Sequence, residues 1–251
     1  MKHRFTAQTT KAVFFDMNNT LIDPRASFDS CFLNVLADFA GRWDDGDGQW
    51  NPQQVLVKYR EEWSGKAAPL RGKPEAAEAV KKQCLQAALR HYPFQVNDAF
   101  VASFFREMRH QARGHAVPFG DAPTAVAKLA GRYKIGVITN GSKEQQADVI
   151  NRLGLSAHIA AERIFASDKG GVRKPNAAIF RSAARDAGVS PAQAVMIGDS
   201  WKNDVTGALK AGMPAVWLNR ASAKTSSRRK VGSSEVPVVR SFKELTELFE
   251  L

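Results

Sequence analysis

The sequence predicts an α/β protein whose parallel sheet is interrupted once by a long all-helical insert. Three observations lead there. Short, continuously apolar runs end in polar residues, as strands buried on both faces do. Helical segments that close on glycine separate the later runs. Between the first run and the second lies a stretch of helix-type periodicity, roughly 90 residues long, too long for an ordinary crossover.

In chain order, Val13-Phe14-Phe15 ends at Asp16. The insert follows over residues 24–115. Phe28, Cys31, Phe32, Val35, Leu36 and Phe39 repeat at helical spacing, as do Phe100, Val101, Phe104, Phe105 and Met108. Residues 75–90 read as a further helix, with Ala76, Val80, Leu85 and Ala88 as partial support, and 44–52 as a polar connection. The core resumes at Pro118-Phe119-Gly120. The second run, Ile135 to Ile138, ends at Thr139. Helices are expected over 143–153, closed by Gly154, over 176–187, closed by Gly188, and over 202–211, closed by Gly212. Val195-Met196-Ile197 leads through Gly198 to Asp199, and Ala215 to Leu218 ends at Asn219. Alternating strands and helices imply a doubly wound sheet. Right-handed crossovers then bring Asp16, Thr139 and Asp199 to the carboxyl edge, where such sheets bind ligands.

Composition narrows the function classes. The chain has 251 residues, 44% hydrophobic and 24% charged, as in a soluble globular protein. No apolar run reaches the length of a bilayer span, and the first ten residues lack the apolar centre of a secretory signal. Cys31 and Cys84 lie in no metal or redox spacing and read as reduced, buried thiols, so a cytoplasmic protein is expected. The formal net charge of +11 raises the question of an anionic partner. Part of it lies in 220–230, which carries Arg220, Lys224, Arg228, Arg229 and Lys230 among serines. That stretch reads as a solvated loop. It has no interleaved aromatics to stack on bases, which argues against nucleic acid.

The chemistry rests on groups that converge. Alone, Asp16 could be a nucleophile, a metal ligand or a helix cap, and a cap or plain turn is the better reading. Thr139-Asn140-Gly141-Ser142 ends a strand and opens a helix, an ordinary N-cap or an anion cradle. Gly198-Asp199-Ser200-Trp201-Lys202-Asn203-Asp204 adds two more acids at a third strand end. Three carboxylates on one edge repel one another unless a cation shares the site. Oxygen donors without His or Cys favour magnesium over zinc. Lys174, before Pro175, supplies a fixed positive charge. Nucleophile, metal, anion cradle and cationic clamp together suit phosphoryl transfer.

The ordered set Asp-x-x-x-Thr-Leu, Thr-Asn-Gly-Ser, Lys-Pro and Gly-Asp-Ser-x-x-x-Asp resembles the haloacid dehalogenase superfamily, over about residues 11–220. The insert position matches members with a helical cap directly after the first motif. The resemblance implies a Rossmann-like parallel sheet core over 1–23 and 116–251 and an all-helical cap domain over 24–115. It implies a magnesium-dependent phosphatase of a small phosphorylated metabolite, with Asp16 as the nucleophile that forms an aspartyl-phosphate. Asp16, the Asn18 carbonyl and Asp199 would hold the metal, with Asp204 as ligand or supporting partner. Thr139 and the Asn140 amide would bind phosphate, and Lys174 would stabilise the developing charge. Trp217 to Arg220 resembles the matching segment of sugar-phosphate and nucleotide phosphatases. Trp43, Trp50, Tyr59 and Trp63 either line a substrate pocket or form the insert's core.

One position departs from the family's phosphatases. Two residues after the nucleophile they carry a second aspartate, the general acid and base; here it is Asn18. Three readings follow: a slow phosphatase or one suited to good leaving groups, a non-catalytic or regulatory phosphate-binding relative, or an Asp→Asn substitution that traps a complex. A 2-haloacid dehalogenase is a further alternative, disfavoured by the acid at Asp199.

Overall fold

The computed structural model describes residues 5–41, 50–67, 74–92, 95–167, 171–221 and 227–251. The chain divides into two compact units, Met1–Pro24 with Ala116–Leu251, and Arg25–His115.

The first unit is a Rossmann-like α/β core. Its sheet runs β1 (Ala12–Phe15), β2 (Lys134–Thr139), β3 (Ile164–Ala166), β4 (Ala194–Gly198), β5 (Ala215–Leu218), β6 (Ser227–Val231) and β7 (Ser234–Val239), in the order β3-β2-β1-β4-β5-β7-β6. All neighbours pair in parallel except β6 and β7, which form an antiparallel hairpin. β1 lies inside the sheet between β2 and β4, and all four of its residues are fully buried. That is why its sequence is continuously apolar rather than alternating. Helices α5 (Ala122–Ala130), α6 (Lys143–Arg152) and α9 (Phe242–Leu248) are built into one core layer, which includes Val13, Phe15, Val126, Ile150, Val195 and Phe242. Helices α7 (Ala177–Asp186) and α8 (Thr206–Lys210) belong to the other, with Phe14, Ile138, Phe180, Met196 and Ala208. Gly154, Gly188 and Gly212 take φ of +70°, +69° and +83° just beyond α6, α7 and α8.

Two expectations change. The segment 202–211 is not one α-helix: Trp201–Val205 is a π-helical turn that passes into α8. The segment 220–230 is not a loop throughout. Its last residues form edge strand β6, whose ladder with β7 satisfies backbone groups that a loop would leave to water. Arg228, Arg229 and Lys230 remain exposed there, and cationic side chains are a common guard against edge-to-edge pairing. The chain also brings aromatics to this run that its own sequence lacks, since the Arg229 guanidinium lies 4.4 Å from the Trp201 ring centre. Lys224 lies outside the described residues.

The second unit is helical: α1 (Pro24–Ala40), α2 (Pro52–Lys66), α3 (Pro74–Leu89) and α4 (Asp98–Gln111). Asn51 and Asn97 cap α2 and α4 through their side chains. Pro52 thus opens α2 rather than ending a connection, and residues 44–49 lie outside the described residues. Phe32, Leu36, Leu85, Leu89 and Phe104 form the core. Tyr59 is buried against Phe28 and Phe32, Trp50 meets Tyr92 edge-on, and Trp63 packs on the same cluster. These three aromatics therefore serve the unit's core; Trp43 lies outside the described residues. Cys31 and Cys84 are free and buried, and burial pushes both thiols up. No helix is long and apolar enough to cross a membrane among the described residues.

Candidate active site

Three central strands end on the same edge, and each delivers part of one polar cluster. Asp16 follows β1, its N–H donating to the Ile197 carbonyl of β4 at 2.9 Å. Thr139 ends β2 and is buried. Asp199 follows β4. Oxygens of Asp16, Asp199 and Asp204 lie within 4.8 Å of one another.

Lys174 sits among these acids. Its ammonium donates to Asp16 Oδ1 at 2.5 Å and to Asp204 Oδ1 at 2.7 Å. Lys174 is 5% exposed, Asp204 1% and Asp16 8%, so these charges interact with little screening by water. Burial pushes the Asp16 carboxyl up to about 6, with Lys174 opposing the rise and Asp204 adding to it. Burial works against the Lys174 charge, but Asp16 and Asp204 outweigh it and hold its pKa above the ordinary value. Burial and then Asp204 raise Asp199. Burial is thus the first cause for the two carboxyls and the Asp204 charge adds to both, while for the ammonium the neighbouring carboxylates prevail over burial.

Local structure explains how each group is held. Asp204 lies in the π-turn, where its Oδ2 accepts the Ser200 N–H at 2.9 Å. A π-turn widens the helix by one residue, and here it carries Asp204 inward to Lys174. Gly198 gives the side chain room. A Cβ there would fall 2.7 Å from Asp204 Cβ and closer still to the carboxylate. Asn140 takes a task that its place in the cradle did not suggest. Its side chain accepts the Lys174 N–H at 2.9 Å and donates to the Lys174 carbonyl at 3.2 Å, clamping the lysine's backbone. Asn18 is exposed beside Asp16.

Several residues had no assigned role in the sequence reading. Asn19 has φ of +60°, a left-handed conformation that Asn tolerates better than most residues. Its side chain hydrogen-bonds Asp199 and lowers that carboxyl against burial. The Asp199 N–H donates to Thr20 Oγ1 at 3.2 Å, and Trp217 Nε1 donates to the Asp199 carbonyl at 2.8 Å. Arg220, grouped above with a solvated run, folds back instead. Its guanidinium donates to the Asn19 carbonyl at 2.6 Å and the Thr20 carbonyl at 3.1 Å, and lies 3.4 Å from the Phe119 ring centre. Only the asparagine at the left-handed position was a readable signal; the Arg220 contacts span some 200 residues.

Comparison with known proteins places these features. The family described as haloacid dehalogenase-like hydrolase matches residues 10–212. A glyceraldehyde 3-phosphate phosphatase of Methanothermobacter thermautotrophicus is 36% identical over 103 residues, 41% of this chain and 45% of that protein. The match thus spans less than half of that relative. A pyrimidine 5'-nucleotidase of Escherichia coli is 27% identical over 210 residues, 82% of this chain and 85% of the relative. Among solved structures, the HAD-hydrolase YfnB of Bacillus subtilis, bound to magnesium, superposes with a TM-score of 0.60 at 19% identity, over 96% of this chain and 99% of that one. At that identity the likeness concerns the fold.

Proposed function

The chain belongs to the haloacid dehalogenase-like hydrolases, and from that premise we propose that it is a magnesium-dependent phosphatase of a small phosphorylated metabolite, with Asp16 as nucleophile. The observation that carries this reading is the Lys174 ammonium shared by Asp16 and Asp204, with Asp199 completing the cluster. The named activities of the two curated relatives, both on phosphate esters, support it.

The residues present fit magnesium. The donors are carboxylate oxygens with no His or Cys among them, and Lys174 leaves the cluster net negative. Asp16, Asp199 and the Asn18 carbonyl would hold the ion. Both Asp204 oxygens are already engaged, by Lys174 and the Ser200 N–H, so Asp204 serves chiefly to position the lysine. When bound, magnesium neutralises negative charge as the phosphoryl group meets the carboxylate.

The side chains then divide the work. Asp16 attacks phosphorus as the ester P–O bond breaks, giving an aspartyl-phosphate and a free alkoxide or phenoxide. With a pKa of about 6 the carboxylate is still ionised at neutral pH. Lys174 offsets charge on the nucleophile and the phosphoryl oxygens, while the Thr139 hydroxyl and the Asn140 N–H hold the phosphoryl group. Water then attacks the phosphorus of the acyl phosphate, releasing phosphate and restoring Asp16. Asn18 supplies no proton in the first step and no base in the second, so turnover is slow on alkyl esters. The helical unit, in this reading, acts as the cap that governs substrate choice.

A panel of phosphorylated metabolites, assayed with magnesium and then with excess chelator, tests this reading. Hydrolysis that needs magnesium and disappears in Asp16→Asn is expected, with substitutions in the helical unit shifting selectivity across the panel. Full activity in chelator, or retention of most activity in Asp16→Asn, would overturn it. A non-catalytic role is the second reading, favoured by Asn18 alone; phosphate binding with no turnover on any ester would establish it.

A further inference from the structure

A second polar cavity lies at the opposite, amino edge of the sheet. It has a volume of about 580 Å³ and is formed where three strands begin. Thr10 and Lys11 precede β1, Lys134 and Ile135 open β2, and Arg163 precedes β3; Arg132, Tyr133 and His158 complete the wall. Lys11 is five residues before Asp16, so at the rise of a strand the cavity is roughly 17 Å from the acidic cluster.

Its lining includes four cationic residues, Lys11, Arg132, Lys134 and Arg163, and no carboxylate, although the Lys134 ammonium itself turns to a carbonyl outside the wall. What partners they have are neutral. Lys134 Nζ donates to the Ala187 carbonyl at 2.9 Å, and Arg132 reaches the Glu250 main-chain carbonyl at 3.4 Å. The decisive group is Arg163. Its Nε is buried yet has no hydrogen-bond partner among the described residues. The Arg163 side chain forms no ion pair among the described residues, nor does Lys11, so the charge beside this cavity is left for an anion from outside the chain.

We infer that this cavity binds a small polyanion bearing phosphoryl groups, at a site separate from the acidic cluster. Three features favour a small anion over a nucleic-acid backbone. The volume lies in the range of small-molecule sites. The lining is confined to four short stretches, residues 10–11, 130–135, 157–158 and 163, gathered at three strand starts. Its one benzenoid ring, Tyr133, is committed to an edge-on contact with Phe249 at 5.3 Å and leaves no stacking platform of the kind single strands use. Arg163 and Arg132 supply forked donors matched to phosphoryl oxygens, and Lys11 adds a mobile point charge. The inference does not depend on the reaction proposed for Asp16.

Inorganic pyrophosphate is the probe. It is titrated into the full chain labelled with ¹⁵N, in the presence of chelator, and followed by amide shifts. Saturable shifts at Lys11, Arg132, Tyr133, Lys134, His158 and Arg163, with a submillimolar Kd, are expected. Arg163→Met should weaken that binding at least tenfold, Arg163→Lys should restore part of it, and shifts near Asp16 should be unaffected by either. Should Arg163→Met fail to fold, the double variant Lys11→Gln, Arg132→Gln changes only exposed side chains and should give the same loss. The absence of saturable shifts at these amides up to roughly 10 mM, about tenfold beyond the expected Kd range, or equal affinity in the variants, would overturn the inference. So would a duplex oligonucleotide that shifts the same amides more tightly than pyrophosphate at equal salt.

Discussion

Gly198→Ala is the sharpest test of the site, because it adds one methyl group where the structure leaves no space. The new Cβ would sit 2.7 Å from Asp204 Cβ, nearer still to its carboxylate. The near atoms include the side chain's root as well as its tip, so rotation of the carboxylate alone does not relieve the clash. Asp204 must shift by about 1 Å to reach ordinary contact. It is 1% exposed and accepts hydrogen bonds from Lys174 at 2.7 Å and Ser200 at 2.9 Å. A hydrogen bond to a charged group contributes about 1.5–3 kcal/mol, and overpacking by a methyl costs about 1–3 kcal/mol. With partial relaxation, the variant should lose about 2–5 kcal/mol, a fall in Tm of roughly 5–15 °C for a chain of this size. Lys174 loses one of its two anchors, so turnover should fall at least ~10²-fold, the scale of a misplaced catalytic group. Thermal unfolding by circular dichroism and steady-state assay of an aryl phosphate read the two effects. Gly65→Ala is the control. It lies in α2 with nothing within 4 Å of a new Cβ, and helix propensity there favours Ala by about 1 kcal/mol. If Gly198→Ala kept its Tm within 2 °C and its activity within about twofold, the packing described around Asp204 would be wrong.

Other predictions follow from the same structure. Asn18→Asp should raise turnover of alkyl phosphates by ~10²–10⁴, the typical contribution of a general acid–base, and should change aryl phosphates less in a burst experiment; no gain on either ester would remove Asn18 from the account of slow turnover. Arg220→Gln should weaken magnesium binding, read by calorimetry, because the carbonyls of Asn19 and Thr20 lose their shared donor beside Asp199. Unchanged magnesium affinity would reduce Arg220 to a surface contact. Glu244 is held below its ordinary pKa by its hydrogen bonds to Arg240. Its contribution is therefore present above the ordinary carboxylate pKa and lost as pH falls through the lowered value, so Glu244→Gln should cost about 1 kcal/mol at pH 7 and progressively less as the solution is acidified below the ordinary carboxylate range; a cost that acidification leaves unchanged, measured by urea unfolding, would contradict the pairing.

Much of the core was legible before the fold was known, and the residues show why. β1, β2, β4 and β5 are buried on both faces, so their sequences are unbroken apolar runs that end abruptly in Asp16, Thr139, the Gly198-Asp199 pair and Asn219. Gly154, Gly188 and Gly212 announced three helix ends, because only glycine takes positive φ without cost. The remaining strands were hidden for physical reasons. β3 has three residues, too few for a period, and β6 is an edge strand whose exposed basic side chains look like those of a loop. β7 carries Pro237, which normally counts against a strand, but here it lies beside the edge.

The sequence by itself determined which chemistry the edge carries. The order of Asp16, Thr139, Lys174, Asp199 and Asp204 along alternating strands and helices already places acids and a cation at one end of a parallel sheet, because strand direction and crossover hand leave them nowhere else. Only the tertiary structure decided how those groups share their charges. That Lys174 bridges Asp16 and Asp204, that Asn140 clamps the lysine's backbone, and that Arg220 returns to the loop after the nucleophile are contacts between residues 30 to 201 positions apart. Local periodicity carries no information about them. They arise where the sheet brings separate strand ends together and burial leaves each charge only its neighbours for solvation.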